Sequence, residues 1–127
     1  MSVVDLAEML RLAVAIHDKY DQLNLRDRGC VWTRSDYVHG FVGDVGDLSK
    51  IVMAEDGLRQ GVGGRAALEH ELADCLWSVL ILAYRYDVDL ESAFRRTMAE
   101  LDERLTARLG RDAPRQAGGG GTGGGSD

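Results

Sequence analysis

Four carboxylates stand out by their spacing. Asp44 and Asp47 are three residues apart, and so are Glu71 and Asp74. Residues three apart on a helix project from one face, so each pair offers two carboxylates side by side. Asp74 sits inside LADCLWSVLILAY (residues 72–84), where only Asp74 and Ser78 are polar, four residues apart and on one face. An ionised carboxylate in apolar surroundings must be paired, protonated or bound to metal. Two such pairs meeting in one pocket would carry four negative charges. Two magnesium ions would neutralise them, and magnesium commonly bridges a protein carboxylate to a substrate phosphate. The chemistry this points to is a metal-dependent phosphate site. The bland alternative is two ordinary acidic faces turned to solvent, and the apolar run around Asp74 argues against it.

Helices must position these acids. Strand signals are weak, and helical periodicity fits four segments. The first covers residues 3–25, with Leu6, Leu10, Ala13, Val14 and His17 on one stripe and Asp5, Glu8, Arg11 and Asp18 outside it. Residues 26–31, with Gly29, read as a loop. Thr33 and Asp36 have the form of a capping box that opens a second helix, running to residue 55. Phe41, Val45, Leu48 and Val52 form its apolar stripe beside Asp44 and Asp47. Gly40, Gly43 and Gly46 fall in this helix at about 1 kcal/mol each relative to alanine. They suggest close approach by another backbone or a ligand, and the alternative is a break at residues 43–46. Residues 57–64 are a glycine-rich loop, and the third helix covers 65–86. A turn at 87–89 leads through Asp89, as N-cap, into a fourth helix that ends near residue 109, with Gly110 as its stop. The third helix is apolar nearly all round, which predicts a subunit interface. Short loops between long helices predict an antiparallel four-helix bundle, all-α, over residues 1–110. Residues 111–127 form a Gly-rich tail with no structure assigned.

Composition narrows the class. The chain has 127 residues, 45% of them hydrophobic and 28% charged, which is an ordinary globular balance for one core. Its 21 acids against 15 bases give a net charge of −6, which argues against a nucleic-acid surface. The longest apolar run, residues 76–84, is too short to cross a bilayer, so no membrane partner is expected. No basic-then-apolar leader opens the chain, and Cys30 and Cys75 cannot form a disulfide framework or a thiolate zinc site. A cytoplasmic location is expected.

Other residues have competing readings. Lys50, one turn after Asp47, could touch phosphate or pair with an acid. Trp32, just before the second helix, fits either a base-stacking role or a hydrophobic staple. Asp36 with His39 has a spacing seen in di-iron bundles, but a single copy favours capping or a surface role. His17 and His70 lack matching ligands and read as structural. Trp77 sits opposite the acid face of its helix and reads as packing. Cys75 reads as a small apolar residue. Arg104, Arg108 and Arg111 read as a solvated C-terminal face.

The two acid pairs in context resemble a known family. ELADCLWSVLILAYRYDVDLESAFRRTMAELDERL (residues 71–105) and GDVGDLSK (43–50) are similar to the MazG-like all-α nucleotide pyrophosphohydrolases. The family pattern is Glu-x-x-Glu, a spacer, then Glu-x-x-Asp. Here it appears as Asp44-x-x-Asp47 and Glu71-x-x-Asp74. The resemblance implies a four-helix fold assembled as a dimer or a dimer of dimers. It implies hydrolysis of a nucleoside triphosphate to the monophosphate and pyrophosphate, in nucleotide-pool housecleaning. The four acids would be catalytic and would hold Mg2+, with Mn2+ able to substitute. Many relatives carry a lysine and an asparagine on the last helix that touch the nucleotide. Thr97 and Leu101 stand there in this chain, and Arg95 or Arg96 could take over. The Asp–Asp pair shortens each side chain by a methylene, which closer helix approach at the glycines would offset. Two alternatives follow from these departures: a non-catalytic helical interaction module, and hydrolysis of a related metabolite such as phosphoribosyl-ATP.

Overall fold

The computed structural model describes residues 5–57 and 64–112. Four helices follow in chain order: α1 (Leu6–Arg28), α2 (Arg34–Glu55), α3 (Arg65–Arg85) and α4 (Leu90–Asp112). No strand occurs among the described residues, so the all-α expectation holds. The expected loop at 57–64 and the tail beyond Asp112 fall largely outside the described residues.

Capping explains most boundaries. The Asp5 side chain accepts from the Glu8 amide at 2.9 Å and starts α1. Thr33 and Asp36 form the expected reciprocal box: the Asp36 amide donates to Thr33 Oγ1 at 3.2 Å, and the Thr33 amide to Asp36 Oδ2 at 2.8 Å. Helix α1 runs three residues past its expected end. Gly29 takes the left-handed conformation at φ 74° and its amide bonds to the Leu25 carbonyl. The stop is therefore the glycine itself, and the basic residues Arg26 and Arg28 suit the last turn. Helix α3 ends with Asp87 at φ 55°, with Val88 N–H to the Ala83 carbonyl at 2.8 Å and Asp87 N–H to the Tyr84 carbonyl at 3.2 Å. This is the paired closure that usually employs glycine.

Helix α2 is unbroken through Gly43 and Gly46, in keeping with its expected span to residue 55 and against the alternative of a break there. Gly110 does not stop α4, which continues to Asp112, because its φ stays out of the left-handed region that a stop requires. Nor do the α2 glycines accommodate a close neighbour within the chain. A Cβ added at Gly40, Gly43 or Gly46 would meet nothing within 4 Å.

Both α1 and α2 pack against α3. The pair α2 and α3 is antiparallel and tied at both ends. The Gly64 amide donates to Glu55 Oε1 at 2.6 Å, and Arg34 Nη2 donates to the Arg85 carbonyl at 2.9 Å. The core is Ala13, Tyr37, Leu80 and Ile81, with Leu6, Leu10, Val14, Trp32, Trp77, Leu82 and Leu90 packed round it. The stripe read for α1 thus faces inward, His17 included. One side of α3 is bare, however: Leu72 and Leu76 are exposed.

The chain divides between Glu91 and Ser92 into two units. The second holds most of α4, along which Phe94, Met98, Leu105 and Leu109 are exposed apolar residues. No helix is long and apolar enough to cross a membrane among the described residues.

Candidate metal and nucleotide site

Helix α2 brings Asp44 and Asp47, and α3 brings Glu71, so that one ligand oxygen from each lies within 4.8 Å of the others. Asp74, one turn beyond Glu71, completes a second group with Glu71 and His70 under the same limit. His70 Nε2 stands 3.1 Å from Asp74 Oδ2. All four acids singled out by spacing therefore converge from two antiparallel helices. The shorter Asp–Asp pair reaches Glu71 without the glycine-mediated approach that the sequence suggests.

The electrostatics of this group are unfavourable as it stands. Partial burial pushes the Asp44 carboxyl above its ordinary range, and the charges of Asp74 and Asp47 push it further, while His70 and a hydrogen bond from Ser78 oppose the rise. Glu71 is raised too, by desolvation first and then by Asp74, Asp47 and Asp44. Glu71 Oε2 is buried with no hydrogen-bond partner. An acceptor in that condition costs free energy unless a cation or donor meets it. The donor set is almost wholly carboxylate oxygen, which suits hard divalent ions such as Mg2+ and Mn2+. The residues present fit such an ion.

A cavity of about 600 Å3 opens beside the acids, a volume in the range of small-molecule sites. Asp44 and Asp74 are among its lining residues, together with Tyr20, Trp32, Tyr37 and Trp77. The Trp32 ring lies 5.0 Å from Tyr20 and 5.7 Å from Tyr37, the latter edge-on. Trp32 precedes the cap and Tyr37 is the fourth residue of α2, so the pair is also a hydrophobic staple. Both readings of Trp32 are thus compatible with its place.

Trp77 departs from expectation. It lines the same cavity as Asp74, one turn away, and its indole Nε1 donates to the Ala13 carbonyl at 3.1 Å. Residues three apart share a helix face, so Trp77 stands beside Asp74 and both line the cavity. Tyr20 and Tyr37 escaped the sequence reading. Their signals were the buried stripe of α1, one turn after His17, and the first turn of α2.

Lys50 is exposed on α2, one turn after Asp47. Arg95 and Arg96 are exposed on α4, in the second unit. Asp36 caps α2, as the single-copy reading expected. Cys75 is half-buried, and burial with the charges of Asp44, Glu71 and Asp74 raises its thiol pKa, the reverse of what a nucleophile needs. His17 is a core residue, stacked on Tyr37 at 5.6 Å. His70 Nε2 meets Asp74, four residues on, a neighbour the sequence reading did not pair it with.

The fold and site define an all-α domain whose clustered carboxylates border an aromatic cavity. Residues 35–108 match the family model of the MazG nucleotide pyrophosphohydrolase domain, which covers more than half of the chain. The chain belongs to that family. No curated protein and no solved structure gives a significant match.

Proposed function

We propose that this protein is a divalent-metal-dependent nucleoside triphosphate pyrophosphohydrolase, converting a (d)NTP and water to a (d)NMP and pyrophosphate. The observation that carries the reading is the meeting of Asp44, Asp47, Glu71 and Asp74 at the edge of the aromatic cavity. These four residues hold Mg2+, for which Mn2+ can substitute. The ions supply charge neutralisation for the triphosphate and a lowered pKa for the attacking water. The chain's own groups do the rest. Trp32, with Tyr20, stacks the base and fixes the α-phosphorus near the acids. Asp44 borders the cavity, and a carboxylate so placed can accept the water's proton. Lys50, one turn after Asp47, is the phosphate-contacting cation.

The reading includes a homodimer or homotetramer. A single copy leaves Leu72 and Leu76 of α3 exposed, as well as Met9, Leu12, Ile16 and Leu23 along one side of α1. Stripes of this kind are usually covered by a partner.

The test is pyrophosphate release from a panel of ribo- and deoxyribonucleoside triphosphates with Mg2+. Asp74→Asn should lower turnover by at least about 100-fold, since even partners of metal ligands are worth about 10–100-fold. Release from no nucleotide, with Asp74→Asn matching wild type, would defeat the reading in favour of a non-catalytic module.

A further inference from the structure

Glu71 belongs to two groups at once. Its carboxylate lies within reach of Asp44 and Asp47 on one side and of His70 and Asp74 on the other. The second group contains an imidazole, the one nitrogen donor in either group. His70 and Asp74 are four residues apart on α3 and share a face, with Nε2 3.1 Å from Oδ2. Two donors bound at right angles to one ion, each about 2.1 Å from it, stand about 3 Å apart. The pair is therefore already spaced as a chelate, and the unpartnered Glu71 Oε2 lies within the same group of residues.

We infer that His70 is itself a metal ligand: its Nε2 joins Glu71 and Asp74 on one divalent ion, while Glu71 is shared with a second ion held by Asp44 and Asp47. The inference rests on the metal-dependent reading above and deepens it. Carboxylates alone suit Mg2+, whereas imidazole adds affinity for softer first-row ions. His70 thus gives this site a bias towards a transition metal in one of its two positions.

The test uses the full-length protein titrated with Mn2+ and observed by pulsed electron paramagnetic resonance. Wild type should show nitrogen coupling to bound Mn2+, and His70→Gln should lose it while His17 and His39 remain in place. The His70 side chain is 72% exposed, so the variant should fold normally. By calorimetry, the ratio of Co2+ to Mg2+ affinity should fall about tenfold in His70→Gln, in line with the loss of one supporting ligand. Mn2+ bound without nitrogen coupling, or coupling that survives in His70→Gln, overturns the assignment of His70 and leaves the carboxylate site standing. No binding of Mn2+ at all overturns both this inference and the metal-dependent function.

Discussion

Among the described residues one imidazole meets two carboxylates in two places, and these are built differently. His17, Asp18 and Asp21 on α1 come within 4.8 Å of one another, as do His70, Glu71 and Asp74 on α3. His17 is 4% exposed and lies between the rings of Tyr37 and Tyr84. Arg85 Nη1 stands 3.4 Å from His17 Nε2, and its guanidinium lies 5.5 Å from the Tyr37 ring centroid. This first centre has a permanent cation. Its unpartnered buried atoms are both donors and acceptors, Tyr37 OH and Asn24 Nδ2 with Asp21 Oδ1, a set that a buried water can satisfy. Around Glu71 the orphan is an acceptor only, and of the neighbours that act on the raised pKa of Glu71 only His70 opposes the rise. Similar residue types therefore surround a built-in arginine in the first centre, and in the second leave carboxylates whose desolvation and mutual repulsion raise the Glu71 pKa.

The sharpest way to break this contrast is to supply the cation. With Mg2+ at about 100 times its dissociation constant, wild type should gain about 2.7 kcal/mol of stability, read as a higher melting temperature. Asp44→Asn should lose most of that gain. It should also start from a higher melting temperature than wild type when metal-free at pH 7. The sign follows from the direction of the shift. The Asp44 pKa is raised on folding, so its contribution is fully present below the unfolded value and disappears as pH rises through the folded one. Metal-free wild type should therefore lose stability on going from about pH 4 towards neutrality through this group, and Asp44→Asn should not. A melting temperature for Asp44→Asn below that of wild type at pH 7 without metal would show that the acid cluster is already satisfied.

The next comparison places one substitution in both centres. His17→Ala removes a buried ring stacked on Tyr37 and should destabilise by about 2 kcal/mol, measured by denaturant titration. His70→Ala, at a largely exposed side chain, should fall within about 0.5 kcal/mol in the absence of metal. Equal costs would remove the distinction between joint and site.

The smallest effect concerns α2 beside the acids. Gly43→Ala meets open space and should stabilise the protein by about 0.5–1 kcal/mol through helix propensity. A loss of oligomer or of turnover in Gly43→Ala would instead show that a second copy approaches the helix there.

Much of this was legible in the residues. The capping box at Thr33 and Asp36, the inward stripe of α1 and the two acid pairs are all local patterns, fixed by helical periodicity and by side chains that bond neighbours three or four residues away. Boundaries set by backbone conformation were less legible. Gly29 and Gly110 are the same residue type, yet only Gly29 adopts positive φ and ends its helix. The contact of His70 with Asp74 was not read from the sequence, although their spacing of four residues on a helix allows it.

The sequence by itself determined the four helices and which residues share a face on each, because those follow from a period of 3.6 and from capping chemistry. The tertiary structure alone decided which faces meet. It set α2 against α3 so that Asp44, Asp47 and Glu71 converge, gathered Tyr20, Trp32, Tyr37 and Trp77 into the lining of one cavity, and gave Arg85 to His17 and not to Glu71. The reason is physical: proximity between residues distant in the chain depends on how whole helices pack, and local spacing carries no information about that.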